Sequence, residues 1–412
     1  MGVSPQEHRD WIMQRIGRTE VQRLPLSAAQ GLILAEDVSA VHSLPLWDNS
    51  AMDGYALRSA DTYGASDAAP VSLQVLGEVA AGSDWDPPLA AGQAVRIMTG
   101  APLPSDADTI VRVEHTSGES GPGQWAQHHV SLTAEVPAGQ EVRAAGEDLL
   151  AGATVARAGD ELSAVRRSAL AAAGVHEVLV HRAPRVAVLV TGAELAAPGS
   201  TLRRGQIPES NSQLIAGLLA ESGIPQVSVR HCPDELAQVQ ALLDELAQQH
   251  EVIITTGGIG PGTHDVMRAA LIDEPVVRQL RVAMRPGQHQ AAGRLSNGAF
   301  IFALSGNPVS AAASFELFVR PALRAIQGAS QPLTPTLQAT AALGWRSAPG
   351  RWQVLPVIFE PGPTLRCLPA VAATRISHSV GGFGAAQGYA LVEPERAEVA
   401  VGDTVTVLRL CP

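Results

Sequence analysis

The chain has 412 residues, too many for one ordinary hydrophobic core, so two or more domains are expected. Hydrophobic residues make up 46%, which is ample for burial and leaves no case for a disordered chain. A net charge of −11 argues against a general nucleic-acid or membrane-surface binder, because such proteins rely on broad basic patches.

In chain order, Ser4 followed by Pro5 predicts a capped helix running to about Ile16. From about Val71 to Val155, short β-branched runs broken by Gly and Pro predict strands and turns, with the polar stretch Thr116–His129 as a surface loop. From Arg185 strands and helices alternate. Val186–Val190, Val227–Val229, Val252–Thr255 and Ala299–Leu304 read as strands. Leu214, Ile215, Leu218 and Leu219 mark one helix, capped near Ser210 or Asn211, and Leu236, Val239, Leu243 and Leu246 mark the next. A long helix follows from Pro308, interrupted by Pro321, which cannot supply the required N–H. Such alternation predicts a doubly wound, largely parallel sheet, whose ligands bind beyond the carboxyl ends of the strands. After Gly328 the helical period gives way to short strands, which predicts a small C-terminal β domain.

The richest chemistry lies between Val252 and Ala311. Two glycine-rich loops, Thr256-Gly-Gly-Ile-Gly-Pro-Gly-Thr-His-Asp265 and Leu304-Ser-Gly-Asn-Pro-Val-Ser310, each follow an apolar strand. Arg278, Arg281, Arg285 and Arg294 lie between them. Backbone N–H groups at such loops can approach an anion closely, and the helix behind adds its positive end. A pocket for a phosphorylated ligand is one reading, and a plain tight turn is the other. The first loop lacks the Gly-Lys-Ser/Thr ending of a P-loop and fits the dinucleotide fingerprint poorly. Asp265 suits either a helix N-terminus or a Mg²⁺ beside a phosphate. In the second loop Gly306 allows the turn, Asn307 caps the helix, and Ser305 and Ser310 offer hydroxyls. Asp48-Asn-Ser-Ala-Met-Asp-Gly-Tyr-Ala-Leu57 is open to reading as a polar interdomain turn or as a site. Every one of the 29 basic residues is arginine, a compositional bias rather than a functional signal. Cys232, Cys367 and Cys411 are widely spaced and fit reduced thiols better than disulfides or a zinc site. The N-terminus lacks an apolar signal core and no run reaches membrane-spanning length, so a cytoplasmic location is expected.

Taken together and in order, Asp48–Leu57, Ile97-Met-Thr-Gly-Ala-Pro-Leu-Pro104, Val142-Arg-Ala-Ala-Gly-Glu-Asp148, Val190-Thr-Gly-Ala-Glu-Leu195, Gly258–Asp265 and Gly306–Ser310 resemble the molybdopterin molybdenumtransferase (MoeA) family, which includes the C-terminal domain of gephyrin. The resemblance implies an α/β multidomain protein: an N-terminal linking domain over 1–46 and 140–183, a β-rich domain over 47–139, a MogA-like doubly wound domain over 184–328, and a small C-terminal β-barrel over 329–412. It implies that adenylated molybdopterin and molybdate become molybdenum cofactor and AMP with Mg²⁺, in an elongated homodimer. A MogA-like adenylyltransferase and recipient molybdoenzymes are the implied partners. Asp53 is then an active-site acid reaching across the dimer, with Thr99 and Gly100 on the same side. Glu194, Asp234 and Asp265 are the implied catalytic and metal-holding acids. Gly257, Gly258, Arg281, Arg285, Ser305, Gly306, Asn307 and Ser310 are the implied ligand-binding set.

The chain departs from the family pattern near that site. A loop serine is lost in Gly257-Gly-Ile-Gly-Pro-Gly-Thr263, Ser305 and Ala193 replace a proline and an aspartate, and Gly381-Gly382 replaces a serine pair. Gln288-His289 stands where the family has Lys-Pro. Loss of that lysine predicts weaker anion binding, with protonated His289 compensating toward about pH 6. An active molybdenum-inserting transferase is the leading reading. A non-catalytic binder or carrier of molybdopterin is the alternative.

Overall fold

Strands buried on both faces dictate the centre of the molecule. The computed structural model describes residues 2–260, 262 and 265–410; Pro261, Thr263 and His264 of the first glycine loop, and Cys411, lie outside them. The central sheet has the order Val227–Cys232, Val186–Thr191, Val252–Thr256, Phe300–Leu304, His289–Arg294, Val276–Arg281. Its first four strands are parallel and the last two antiparallel. Side chains alternate across a strand, so Val186, Val188 and Val190 enter one core while Ala187 and Leu189 enter the other. Helix Asn211–Glu221 covers the first face through Ile215 and Leu219. Helix Leu236–Ala247 covers the second through Val239, Leu243 and Leu246. Cover on both faces explains why these strands read as unbroken apolar runs. The doubly wound reading holds, with Val227–Cys232 longer than its apolar start suggests.

The N-terminal helix, Pro5–Met13, is closed by a capping box in which Ser4 and Glu7 satisfy each other's backbone N–H groups. Its Ile12 packs into the first core of the central sheet, and Val3 bridges to Val282. Beyond it, strands Val21–Pro25, Glu177–His181 and Ile33–Leu34 form a small sheet backed by helix Ala164–Ala172.

Residues 54–132 build a seven-stranded sheet. Gly54 opens the strand beside the sheet's last strand, where a Cβ would meet the carbonyl oxygen of Val111 at 2.1 Å, so only glycine fits there. The expected surface loop at Thr116–His129 holds for residues 119–120 and 123–128, which are turns, bends and irregular chain, while the rest pairs into this sheet. Thr116–Gly118 and Gly121–Pro122 are short edge strands. The Glu119 carboxylate accepts the N–H groups of Gln127, His128 and His129, and those bonds hold its pKa down at about 2. One acid thus organises a polar stretch that has no hydrophobic period to announce it.

The expected long helix after Pro308 runs as Pro308–Ser314, a π-helical turn Phe315–Val319, and Arg320–Ile326. The π turn takes up the misfit just before Pro321. Buried Glu316, in the π turn, and Arg320, the first residue of the next segment, pair at 2.7 and 2.8 Å. The last unit is a closed five-strand barrel, in which Trp352–Glu360 pairs with both Arg366–Pro369 and Gly388–Val392, and Thr336–Ala341 with Thr404–Arg409 completes the ring. Met284–Arg285 adds alongside Trp352 and Gln353, tying the barrel to the central sheet.

His8 is 1% exposed, stacks edge-on against Phe318 at 4.9 Å, and has no partner at Nδ1. Burial first, then nearby Arg278, lowers its pKa from 6.5 to about 4. The unfolded chain therefore binds this proton more readily, and stability falls as pH drops from 6.5 toward 4. Urea unfolding at pH 7.5 and pH 5 should show a loss of about 2 kcal/mol from this group, absent in His8→Leu. An equal loss in the variant would assign the effect elsewhere.

Candidate functional site

Strand order reverses between Val186–Thr191 and Val252–Thr256, because the chain leaves these neighbours toward opposite edges. Crevices in open α/β sheets form beyond such a switch point. There lies a cavity of about 560 Å³, walled by Thr191, Gly192, Glu194, Gly257, Gly258, Asp265 and Ser305 among others. Gly257 makes its floor possible. Its φ of +96° and a Cβ position 2.4 Å from the Thr191 carbonyl oxygen exclude any side chain.

The acids of the cavity hold its loops. Asp265 accepts Gly260 N–H at 2.9 Å and Gly262 N–H at 2.5 Å, closing the first glycine loop on itself. It precedes helix Val266–Ala270 without capping it. Asp234 accepts Ala193 N–H at 2.8 Å and so ties the loop carrying Glu194. Glu194, Asp234 and Asp265 all line the cavity, with Gly257, Gly258, Ser305 and Gly306. Among the described residues no group of three His, Cys, Asp or Glu side chains forms a ready metal cluster. No arginine lines the cavity either.

The arginines between the loops are dispersed rather than clustered. Arg281 donates through Nε and Nη2 to Gln288 Oε1 at 3.2 and 3.1 Å, and Arg285 donates to the Thr374 carbonyl at 2.7 Å. Arg294 grips the carbonyls of Gly298 and Arg15, at the far end of the strands, and Arg278 lies over the Trp11 ring at 5.7 Å. Asn307 caps its helix as expected, accepting Ser310 N–H at 3.2 Å, and its amide donates to the Ser377 carbonyl at 2.5 Å. Ser310 is buried behind the wall.

Asp53, Thr99 and Gly100 form a second, exposed group outside this cavity. The Asp53 carboxylate accepts both N–H and O–H of Thr99 at 2.7 Å, and the backbone bond, then the hydroxyl, lowers its pKa.

Sequence reasoning assigned no ligand role to Thr191 or Asn211, both of which line the cavity, as does His289, which was expected to aid anion binding only when protonated. Asn211 was expected as a helix cap. Glu209 instead receives Ser212 N–H at 2.8 Å, while the Asn211 amide donates to the Gly306 carbonyl at 2.8 Å, joining the two loop systems. The expected protonation of His289 near pH 6 is corrected too. Burial, then Arg281 and Arg268, lowers its pKa, against a smaller opposing pull from Asp265. Gln288 is engaged by Arg281 and does not line the cavity, so it is no vacant anion donor.

Three family models cover the chain in succession: the MoeA N-terminal region (domain I and II) over residues 3–174, a probable molybdopterin binding domain over 187–325, and the MoeA C-terminal region (domain IV) over 338–410. The chain is 37% identical over 412 positions, 98% of each sequence, to molybdopterin molybdenumtransferase 2 of Mycobacterium tuberculosis. The chain belongs to the molybdopterin molybdenumtransferase family. A Haemophilus influenzae molybdopterin molybdenumtransferase is 31% identical over 94% of each chain. A molybdopterin biosynthesis MoeA protein of Pyrococcus horikoshii superposes with a TM-score of 0.79 at 26% identity, covering 99% of each chain. A second structure from that organism agrees in fold, with a TM-score of 0.83 at 24% identity.

Because Gly257 has no room for a Cβ, Gly257→Ala should destabilise by about 1–3 kcal/mol and distort the cavity. Gly205→Ala, also at positive φ but in open space, is the control for backbone strain alone. Urea midpoints that fall equally in both variants would show that the Thr191 contact adds nothing.

Proposed function

We propose that this molybdopterin molybdenumtransferase family member inserts molybdate into adenylated molybdopterin with release of AMP. The carrying observation is the switch-point cavity, where two glycine loops and the acids Glu194, Asp234 and Asp265 converge on a chain matched end to end by such transferases. Cleaving the phosphoanhydride leaves negative charge on AMP, which the site must offset. Glycine-loop amides meet phosphate oxygens closely, and Asp265 keeps that loop in shape.

The lining supports a bound Mg²⁺. Three carboxylates face a polyanionic substrate with no arginine among them, an arrangement that repels the substrate unless a cation lies between. Mg²⁺ takes one or two carboxylates plus phosphate oxygens and waters, so a trio of protein ligands is not needed. Glu194, Asp234 and Asp265 would hold it, and it would supply charge to the leaving phosphate.

The site would be completed by a second copy. Asp53, Thr99 and Gly100 stand exposed away from their own cavity, and apolar Leu46, Trp47 and Leu150 beside the Leu44–Leu149 pairing are exposed. A homodimer that laid this face over the partner's cavity would account for both. A cytoplasmic setting, with a MogA-like adenylyltransferase supplying substrate and molybdoenzymes receiving product, fits this reading. Among the described residues no helix is long and apolar enough to cross a membrane.

Purified protein with Mg²⁺ and molybdate should release AMP from adenylated molybdopterin. Asp265→Asn, which keeps one of the two loop acceptors, should slow release by about a hundredfold, far more than its loss of stability in a urea titration accounts for. Binding of molybdopterin without any AMP release would favour a carrier instead. Mixed Asp53→Ala and Asp265→Ala subunits should regain part of the lost activity after exchange, since one of the two mixed sites is intact. No recovery despite verified exchange would place Asp53 outside the partner's site.

A further inference from the structure

We propose that His289 is a neutral imidazole locked in its Nδ1–H tautomer by an Arg281–Gln288 relay, and that it offers this N–H to a tetrahedral oxyanion of the substrate. The inference deepens the proposed function, since it takes the switch-point cavity as the ligand site.

The hydrogen-bond directions fix each group in turn. A guanidinium only donates, so the two Arg281 contacts to the Gln288 side chain, at 3.2 and 3.1 Å, require its carbonyl oxygen there. Rotating the amide would set N–H groups against N–H groups. The amide nitrogen of Gln288 therefore faces His289 Nε2, at 3.1 Å. That nitrogen brings only hydrogens, so His289 Nε2 must be the unprotonated acceptor, and the ring proton sits on Nδ1. Backbone geometry holds the three residues in place. Arg281 and His289 are direct cross-strand partners, and Val282 N–H donates to the Gln288 carbonyl at 2.7 Å in the hairpin between them.

Nδ1–H has no acceptor among the described residues, and the half-buried ring lines the cavity. A proton donor on that wall suits phosphate or molybdate oxygens, which have lone pairs and no protons to offer. The relay also accounts for the Gln288-His289 pair in this chain. A lysine at 288 could not accept from Arg281, and a proline at 289 has no side-chain donor. Burial and the neighbouring arginines disfavour a second ring proton, in keeping with a neutral donor. His289 would touch substrate, while Gln288 and Arg281 position it.

Long-range ¹H–¹⁵N correlation on ¹⁵N-histidine-labelled protein without ligand should show His289 with Nε2 unprotonated and Nδ1 protonated. Gln288→Glu replaces the amide donor by a carboxylate, so the proton should move onto Nε2 in the same spectrum. An Nε2–H tautomer in the unmodified protein, or an unmoved proton in Gln288→Glu, overturns the relay. Calorimetric titration with AMP and, separately, with molybdate reads the ligand role in the presence of Mg²⁺. His289→Leu should weaken one of them about tenfold, whereas His289→Asn, whose amide N–H can take the place of Nδ1–H, should restore most of it. Loss confined to AMP assigns the donor to phosphate, and loss confined to molybdate assigns it to the metal oxyanion. Unchanged affinity for both overturns the ligand role. A locked tautomer in a protein that releases no AMP would sink the transferase reading and leave the relay standing.

Discussion

Gly257 lies so close to the end of the neighbouring strand that its missing Cβ is the condition for everything above it. The two parallel strands can end side by side at the switch point only because one of them turns away through a glycine packed on the Thr191 carbonyl. The turn brings the first glycine loop over the second, and Gly306 stands with its own Cβ position 3.3 Å from the Gly257 Cα. Asp265 then closes the loop from the far side. The cavity is thus a backbone construction, and its carboxylates are as much part of the frame as of the chemistry.

Charge is arranged in two tiers around that frame. Acids line the cavity, while Arg281 is held by Gln288, Arg285 by the Thr374 carbonyl, and Arg278 and Arg294 lie farther off. A cation bound by the acids would therefore meet the substrate first, and the guanidinium groups would act through space or through an intermediary. This inverts the simplest reading of the sequence, in which arginines between two glycine loops reach a phosphate directly. The inversion arises because successive side chains along the strands of the hairpin 276–294 point to opposite faces. Its side chains turn toward the barrel and the N-terminal helix as well as toward the loops.

Much of the fold was legible because it rests on local rules. Buried parallel strands give apolar runs, amphipathic helices give a period, and Ser4 or Asn307 announces a helix start. The site was legible in part, since glycines after strands have a geometric meaning of their own. Other features had no such signal. Asn211 looks like a cap in sequence and serves as a bridge to Gly306, a contact 95 residues away. Thr116–His129 reads as a loop because its order comes from one glutamate and from the buried anchor at Ala126 rather than from a hydrophobic period. Gln288 looks like a lost lysine until its partners are seen. In each case a polar side chain takes its role from a distant neighbour, and composition and periodicity are blind to that.

The strand Met284–Arg285 lies in the connection between the two hairpin strands of the central sheet and pairs with the barrel. Arg285 to Thr374 and Asn307 to Ser377 add two polar pins between the same bodies. Val354, Tyr389 and Leu408 of the barrel lie in the same apolar core as Val188 and Phe302 of the central sheet, so displacing one body from the other would break both pins and expose that core to water. A cleft of about 710 Å³ lies between helix Asn211–Glu221 and the barrel beside that core. The barrel is therefore clamped to the sheet through a common core, and the shape of the cleft beside it is set by that clamp.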